Sequence, residues 1–566
     1  MKNIFIVLFY TICVTSAFSQ SDYPEADFLK ESIKDVTVDE EAIEQSFTEK
    51  QPCIFTISVN NITDDDSYAY EFNAADLNEY KITFETGKKE VFVEVETKGA
   101  KDLIRIYENE KVDGYDKDFK FFARDVEHAR ELVEKFKALV RNCTGTQKDI
   151  GFVLGDNATL SGALDYLTKN IIKVSINEAS FNQTFSYNNN YTPLMKLHRV
   201  DETEGLTSIY ELNAADLSHT SVQFDTRQEF VIVSAETRGQ RDLVRVFENG
   251  ELDGYENEIY FYADNIEDAR KLVEVLKFYI VKATEVKSSE LQSLENQSQI
   301  TGVNDFIARH VNDVAFNDES FKQSFAFNPE QPYLAELKVE NVNDAEVRVY
   351  NFNLADINQN AVSFDTKGEE VIIEIRTSGD KDLLMVHENG EIDDYDSEIE
   401  ILANGIEEAR YIIEGFKKAV TISKDIQEKS FISGVTAPGK SQTVEFLTNT
   451  IKDVVIGEDA YKQKYSANDE NTCLAEIEVI DVSEGETIIY KFNYVDINVH
   501  KIAFDTKGEE VLLHLETIGG NDLIEIIEDG VTDDFDDEIE IRATGIEEAR
   551  KIEMALKHLT KLCTQE

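Results

Sequence analysis

The sequence has few basic residues: 56 Lys plus Arg stand against 113 Asp plus Glu, which gives a net charge of −57. Nucleic acids and anionic lipid headgroups need basic patches, so this balance argues against both as ligands. It favours cations or basic partners, and it also serves as a solvated acidic surface that keeps an exported protein from sticking to itself. Proline is scarce as well, with six residues, and 42% of the chain is hydrophobic. Both are typical of a globular protein and not of a disordered or collagen-like one.

Long apolar runs are missing after the N-terminus. The first residues, MKNIFIVLFYTICVTSAFSQ, have a positive Lys2, an apolar stretch and a small-x-small site, which predicts a signal peptide over residues 1–19 cleaved near Ser19–Gln20. No later run approaches the length of a membrane span, about 20 apolar residues. We therefore expect a secreted, periplasmic or extracellular protein without a transmembrane span.

The chain aligns with itself in four copies. FNAADLN (72–78), LNAADLS (212–218), FNLADIN (352–358) and FNYVDIN (492–498) begin 140 residues apart, and FDTKGEEV occurs identically at 364–371 and 504–511. This period is far longer than that of solenoid repeats, so each copy should close its own core. The predicted boundaries are repeat 1, 22–143; repeat 2, 160–284; repeat 3, 300–424; and repeat 4, 440–566.

Alternating hydrophobicity in the fourth copy predicts seven strands between a short N-terminal helix (445–456) and a C-terminal amphipathic helix (545–562). The strands are 461–466, 474–481, 486–493, 500–506, 510–517, 523–529 and 536–542. Thr544 with Glu547 has the spacing of a capping box, as have Asn404 with Glu407 and Asp264 with Glu267. The expected fold class is α+β, with each repeat an antiparallel partly open barrel or roll and a C-terminal capping helix.

This order of elements resembles the pleckstrin-homology-like superfold, in which two orthogonal sheets form a partly open barrel and a helix plugs one end. The resemblance covers most of each repeat. Members that bind phosphoinositides use Lys and Arg after the first strand. The corresponding loops here, SANDENTC (466–473), FNPEQPY (327–333), SYNNNYTP (186–193) and TEKQPC (48–53), hold no basic cluster. The resemblance therefore implies the fold and not phosphoinositide binding.

Cysteine is rare too. Apart from Cys13 in the leader, four cysteines remain, Cys53 and Cys143 in repeat 1 and Cys473 and Cys563 in repeat 4, each pair 90 residues apart. Both members of the pair are absent from repeats 2 and 3. An even count in an exported chain predicts the disulfides Cys53–Cys143 and Cys473–Cys563. The alternative, free or catalytic thiols, lacks a CxxC motif or a repeated histidine.

The repeated Asn and Asp residues lie between two predicted strands. Asparagine and aspartate bond their own backbone in Asx-turns, so a structural turn accounts for them. The alternative is a polar ligand site, which would need a repeated charged or aromatic partner that the adjoining residues do not supply. The turn residues are Asn73, Asp76, Asn213, Asp216, Asn353, Asp356, Asn493 and Asp496.

A second repeated feature is an acidic hairpin, ENEKVDGYDKD (108–118) in repeat 1 and EDGVTDDFDDE (528–538) in repeat 4. Carboxylates on a loop are ligands that Ca²⁺ prefers, although the spacing is not that of an EF-hand. An aromatic residue packed under a turn whose acids face water explains the pattern without an ion, and we favour this explanation. The candidate ligands are Asp393, Asp394, Asp396, Asp533, Asp534, Asp536 and Asp537.

Enzyme motifs are absent: there is no HExxH, GxSxG, P-loop or GxGxxG, and none of the eight His recurs between copies. Glu127, Glu267, Glu407 and Glu547 are expected to cap helices, and Arg130, Arg270, Arg410 and Arg550 to pair with nearby acids. We expect no enzyme and no cofactor. The favoured function is a binding or structural protein that acts through multivalent protein–protein contacts. The alternatives are a calcium-dependent adhesion or carbohydrate-binding protein, and a hydrolase with an unrecognised site.

Overall fold

A computed structural model describes residues 23–63, 66–146, 155, 158–316, 319–435, 439–457, 459–528 and 530–564. The predicted signal peptide lies outside the described residues. The chain divides into two compact units, Met1–Val286 and Lys287–Glu566, and each unit contains two repeats.

Repeat 1 places nine strands between helices α1 (Pro24–Ser32) and α2 (Val126–Thr146). The strands are β1 (Val36–Val38), β2 (Glu41–Gln51), β3 (Ile54–Asn61), β4 (Asp66–Asn73), β5 (Thr83–Thr86), β6 (Val91–Glu96), β7 (Ile104–Glu108), β8 (Lys111–Asp116) and β9 (Asp118–Ala123). They form a six-stranded sheet in the order β1-β2-β3-β4-β7-β8 and a three-stranded sheet in the order β5-β6-β9. All described pairings are antiparallel.

The other repeats have the same order of elements. Repeat 2 comprises α3 (Leu160–Asn170), β10 (Val174–Ile176), β11 (Ala179–Tyr187), β12 (Leu194–Asp201), β13 (Leu206–Asn213), β14 (Gln223–Arg227), β15 (Phe230–Glu236), β16 (Val244–Glu248), β17 (Glu251–Glu256), β18 (Glu258–Ala263) and α4 (Ile266–Ala283). Its sheets are β10-β11-β12-β13-β16-β17 and β14-β15-β18.

The second unit begins with the short helix α5 (Ser289–Glu295) and then holds repeats 3 and 4. Repeat 3 comprises α6 (Ile300–His310), β19 (Val314–Phe316), β20 (Glu319–Phe327), β21 (Leu334–Asn341), β22 (Glu346–Asn353), β23 (Ile357–Lys367), β24 (Glu370–Thr377), β25 (Leu384–Glu388), β26 (Glu391–Asp396), β27 (Glu398–Ala403) and α7 (Ile406–Val435). Repeat 4 comprises α8 (Lys440–Thr450), β28 (Val454–Ile456), β29 (Asp459–Ala467), β30 (Leu474–Asp481), β31 (Glu486–Asn493), β32 (Ala503–Lys507), β33 (Glu510–Glu516), β34 (Ile524–Glu528), β35 (Val531–Asp536), β36 (Glu538–Ala543) and α9 (Ile546–Thr564).

The strands follow the alternation of the sequence. In β18, Ile259, Phe261 and Ala263 are buried and the residues between them are half-exposed. Helix α4 adds Ala269, Leu272 and further apolar residues to the same core cluster. Each sheet therefore turns one face to the core, and the C-terminal helix of the repeat covers it.

A buried glutamine joins the two sheets of every repeat. The Gln45 side-chain amide donates to the carbonyls of Lys34 and Phe122, both at 3.1 Å, and its oxygen accepts from the Phe122 backbone N–H at 2.7 Å. Because Gln45 lies in the large sheet and Phe122 in the small sheet, this one side chain links the two sheets, and it also satisfies the Lys34 carbonyl of the segment before β1. Gln183, Gln323 and Gln463 make the corresponding bonds.

The structure adds two strands to the seven predicted in repeat 4. One is the three-residue β28 (Val454–Ile456), where the predicted N-terminal helix 445–456 is wrong because the helix there, α8, ends at Thr450. The other is β35, which lies in the acid-rich run that the sequence suggested to be a loop. It pairs with β34 through a bulge between Ile526 and Ile527. Among the described residues, the sheets do not close into a continuous ring.

The two predicted cysteine pairs lie at disulfide-bond distance. Cys53–Cys143 and Cys473–Cys563 have Cα separations of 5.6 and 5.8 Å. Each pair ties the residue before the third strand to the end of the C-terminal helix. In repeat 2, where Pro193 and Ala283 stand instead, the Tyr279 hydroxyl donates to the Thr192 carbonyl at 2.8 Å and links the same two elements. No described helix combines the length and apolar character that crossing a membrane requires.

Candidate functional site

The first half of the site is the turn after the fourth strand of each repeat. The Asn73 side-chain oxygen accepts from the Ala75 backbone N–H at 2.9 Å. The corresponding bonds join Asn213 to Ala215, Asn353 to Ala355 and Asn493 to Val495. These are local Asx-type bonds, which shape the turn. They use only the side-chain oxygen, so the amide nitrogen of each asparagine is left for another partner.

The second half is the start of the C-terminal helix. The predicted cap of Asp264 with Glu267 is wrong by one residue: α4 begins at Ile266, and the Asn265 side chain accepts from the Asp268 N–H at 3.0 Å. In α9, Thr544 bonds Glu548 and not Glu547. Glu267 and Glu547 are therefore not used to cap their own helices.

In the first unit, the turn of repeat 1 contacts the helix start of repeat 2. The Asn73 amide donates to Glu267 Oε1 at 2.9 Å. Arg270 Nη2 donates to Asp76 Oδ2 at 2.8 Å, and its Nη1 lies 3.2 Å from Glu267 Oε1. The four side chains form one continuous network in which Glu267 accepts from both the asparagine and the arginine.

The second unit repeats this network between repeats 3 and 4. The Asn353 amide donates to Glu547 Oε1 at 2.8 Å. Arg550 Nη2 lies 2.9 and 2.7 Å from the two carboxylate oxygens of Asp356. Every one of these cross-repeat bonds joins residues 194 positions apart in the sequence. We call this four-residue arrangement the docking network.

Burial raises the pKa of both aspartates. For Asp356, desolvation outweighs the opposing influence of the Arg550 guanidinium and raises the pKa to about 6. Desolvation likewise raises the pKa of Asp76 despite Arg270. The Asp356 side chain is only 8% exposed. The carboxylates of the docking network are therefore held in a largely dry interface between repeats, where an unpaired charge would be costly.

Apolar side chains extend the contact. Leu103 and Tyr115 of repeat 1 pack against the core cluster of repeat 2, and Tyr395 and Met385 of repeat 3 pack against that of repeat 4. Tyr115 and Tyr395 are the aromatic residues of the acidic hairpins. In these two repeats, the aromatic residue covers the next repeat's core and not only its own turn.

One hydrogen bond from a threonine to a backbone carbonyl completes each junction. Thr226 Oγ1 of repeat 2 donates to the Asp102 carbonyl at 2.9 Å, and Thr506 Oγ1 of repeat 4 donates to the Asp382 carbonyl at 2.7 Å. At one further position the junctions differ. Arg105 Nη1 donates to the Asp264 carbonyl at 3.3 Å, whereas Met385 and Thr544 stand at these places in the second unit.

The structure thus supplies the partner that the turn lacked in the sequence. The asparagine and aspartate of one repeat meet the glutamate and arginine of the next repeat, in the two pairs Asn73/Asp76 and Asn353/Asp356. In repeat 2, the Asn213 amide also donates to Tyr191 Oη at 3.2 Å. The Asn/Asp turn and the Glu/Arg helix start both recur in all four copies, and this recurrence was the indication in the sequence that they could bind each other. The sequence prediction considered only residues adjacent to the turn, so it did not include this partner.

The acidic hairpins hold their carboxylates on strands β26 and β35. Asp394 accepts from the Tyr395 N–H at 2.7 Å, and Asp396 from the Ser397 N–H at 2.6 Å. Asp534 and Asp536 make the same bonds to the residues that follow them. Asp393, Asp533 and Asp537 lie on or directly after these strands.

Groups that could hold a metal lie elsewhere. Within the described part of the chain, the sets of acidic or imidazole groups close enough to share an ion are Glu374–Glu398–Glu400 and His514–Glu538–Glu540. They occupy equivalent places in repeats 3 and 4, on the small sheet. Neither set includes a hairpin aspartate, and calcium binding by the hairpins stays a prediction.

Comparison of the chain with protein-family models, with curated proteins and with solved structures finds no match. The docking network is therefore interpreted from its own geometry.

Proposed function

We propose that the protein is an exported, acidic, non-enzymatic structural or binding protein that acts through multivalent protein–protein contacts. The observation that carries this proposal is the docking network. Polar residues that recur in every copy are where a ligand site of a repeated module would be expected. In both units, however, these residues join one repeat to the next. Modules joined in pairs by such contacts suit a scaffold better than they suit a catalyst.

The proposal extends to the detailed fold of each repeat. We infer that each repeat is a partly open, two-sheet roll similar to the pleckstrin-homology-like superfold. Two antiparallel sheets followed by a helix that covers the core support this inference. Two disulfide pairs and the N-terminal leader sequence support an extracellular or periplasmic location, where disulfides persist.

Repeat 4 offers the surface through which such contacts can extend. Its groove of about 590 Å³ is lined by Asn493, Asp496, Leu523, Glu525, Phe535 and neighbouring strand residues. In repeat 3 the corresponding surface holds the Thr544–Glu547 start of α9. We call the repeat 4 surface the terminal groove. Phe535 in it is 53% exposed, whereas the equivalent Tyr395 of repeat 3 is 7% exposed.

Site-specific photocrosslinking tests this proposal. A benzophenone amino acid replaces Phe535 in the full chain, which is expressed in the cells that naturally export it. The proposal predicts a discrete adduct of protein mass after illumination. Asp496→Arg in the same chain should abolish that adduct, because it reverses the charge in the terminal groove.

The control carries the same photoreactive group at Val455, which is 73% exposed and lies on β28, outside the terminal groove. It should give no discrete adduct. The proposal is contradicted if position 535 yields no protein adduct, or if Asp496→Arg leaves the adduct unchanged.

A further inference from the structure

The contact residues of the docking network also occur outside the two described junctions, and two such places are the terminal groove and the start of α2. On the terminal groove these are Asn493 and Asp496. On repeat 1, the start of α2 carries Glu127 and Arg130. Glu127 and Arg130 pair only with each other among the described residues, and their side chains are 77% and 58% exposed. Their equivalents Glu267 and Arg270 are 18% and 19% exposed.

We propose that the terminal groove of one chain binds the α2 start of a second copy of this chain. The contact would be a head-to-tail copy of the junctions already present in each unit. Asn493 would donate to Glu127, and Arg130 would pair with Asp496, as Asn353 and Asp356 do with Glu547 and Arg550. This inference rests on the proposed function and names its partner.

The secondary contacts have their residues in place as well. Thr86 occupies the position of Thr226 and Thr506, and its acceptor would be the carbonyl of Asp522, equivalent to Asp102 and Asp382. Phe84 occupies the position of Phe224 and Phe504, over which Arg270 and Arg550 lie. Both partners thus carry the polar and the aromatic parts of the junction.

Exposed apolar side chains also indicate that the terminal groove is the contact surface. Leu523 and Phe535 of the terminal groove are 47% and 53% exposed. In repeats 1 and 3 the equivalent residues are at least half-buried, and Leu103, Tyr115 and Tyr395 pack against the following repeat. An exposed apolar patch rimmed by polar residues is typical of an interaction surface.

One position makes the contact specific. Arg105 of repeat 1 meets Asp264 at the junction in the first unit, and the neutral pair Met385 and Thr544 stands there in the second. On the terminal groove this position is Glu525, and at the start of α2 its counterpart is Arg124. The side chains of Glu525 and Arg124 carry opposite charges, whereas Arg105 in the first unit reaches the backbone carbonyl of Asp264. Opposite charges across a contact steer the partners and fix their register.

A head-to-tail contact uses two different surfaces on each copy, so it generates rings or open chains and not a closed two-fold dimer. The net charge of −57 opposes association, and this repulsion weakens as salt screens it. The contact should therefore be observed at physiological ionic strength rather than at low salt.

Sedimentation of the full chain tests this. The weight-average mass of the wild-type chain should at least double between about 1 and 100 µM, a range suited to a weak interface. Arg130→Asp and Asp496→Arg should each abolish the increase. A 1:1 mixture of the two variants should regain at least a dimer, because Asp496 of the first variant meets Arg130 of the second.

The control is Arg141→Asp, which changes a residue of nearly the same exposure, 59%, further along α2. It should associate as the wild-type chain does, and thermal melts should show that all variants are folded. The inference is overturned if the wild-type mass does not rise, if the mixture is no heavier than its components, or if Arg141→Asp abolishes association. A protein adduct at position 535 without self-association would leave the proposed function standing and remove only the second copy as partner.

Discussion

Arg550 contacts both carboxylate oxygens of Asp356, and the two residues are 194 positions apart in the sequence. Arg270 makes the matching contact with Asp76 across the same separation. A turn and a helix start that recur in every copy therefore serve two purposes. Each shapes its own repeat, and together they join consecutive repeats within a unit.

Removing the arginine of the helix start should lower the unfolding free energy more in repeat 2, where it contacts repeat 1, than in repeat 1, where it is exposed. Arg270→Ala leaves Asp76 and Glu267 together without their cation in a buried site, so we expect the stability to fall by about 2–4 kcal/mol. Arg130→Ala removes an exposed pair with Glu127 and should cost less than about 1 kcal/mol. Urea unfolding of the two full-length variants at a concentration too low for association measures the difference. Equal losses would contradict the assignment of Arg270 to a buried junction.

The stability of the second unit should depend on pH through Asp356. The raised pKa, about 6, lies above the ordinary value of 3.8, so the folded chain holds more protons than the unfolded chain between these values. This contribution to the unfolding free energy is absent above pH 6 and grows as the pH falls towards 4. Its limit is about 3 kcal/mol for a shift of this size.

Asp356→Asn removes the titrating group. The urea midpoint of the wild type, measured relative to that of this variant, should therefore rise from pH 7 to pH 5. Asp496→Asn alters the equivalent residue of repeat 4, which has no docked arginine among the described residues, and serves as the matched control. The pH argument fails if the wild-type midpoint, relative to that of Asp356→Asn, stays constant or falls.

The two disulfides should stabilise the end repeats. Each closes a loop of 90 residues, for which chain entropy predicts about 4–5 kcal/mol as an upper value. Cys473→Ala together with Cys563→Ala should lower the melting temperature of repeat 4, and a reductant should have the same effect on the wild type. A reductant should leave a variant without any of the four cysteines unchanged. If the reductant lowers the melting temperature of that variant by the same amount, the effect does not come from the disulfides.

Calcium should have little effect on the melt. The hairpin aspartates Asp394, Asp396, Asp534 and Asp536 already accept hydrogen bonds from neighbouring backbone N–H groups. We expect the full chain to melt within about 1 °C of the same temperature in EDTA and in millimolar Ca²⁺, since an ion that binds only the folded state would raise it. A rise of several degrees that is lost in Asp533→Asn with Asp534→Asn would instead favour the calcium-dependent alternative.

Much of the architecture follows from the sequence because it depends on local patterns. Alternation located strands such as 474–481 and 486–493, which the structure has with the same bounds. The helix predicted at 545–562 is α9, Ile546–Thr564. The three-residue β28 and the acid-rich β35 were not predicted, because neither has an alternation of apolar and polar residues. Only their backbone pairing defines them as strands.

The docking network was not predicted from the sequence, for a different reason. Its partners lie in different repeats, and each residue has a sufficient local explanation: Asn353 shapes a turn, and Glu547 has the spacing of a cap. Only the one-residue shift of the helix start, to Ile546, leaves Glu547 available for Asn353. No periodicity in the sequence encodes which distant surface a free carboxylate meets.

The most direct test of the account is a double-mutant cycle at Asp356 and Arg550. Asp356→Asn, Arg550→Gln and the double variant are made in the full chain, and their unfolding free energies are compared at pH 7. The account predicts that the double variant loses at least about 1 kcal/mol less than the sum of the single losses, because the two side chains bind each other across the junction. Losses that add within about 0.5 kcal/mol would show that the residues act independently, and would contradict the docking network.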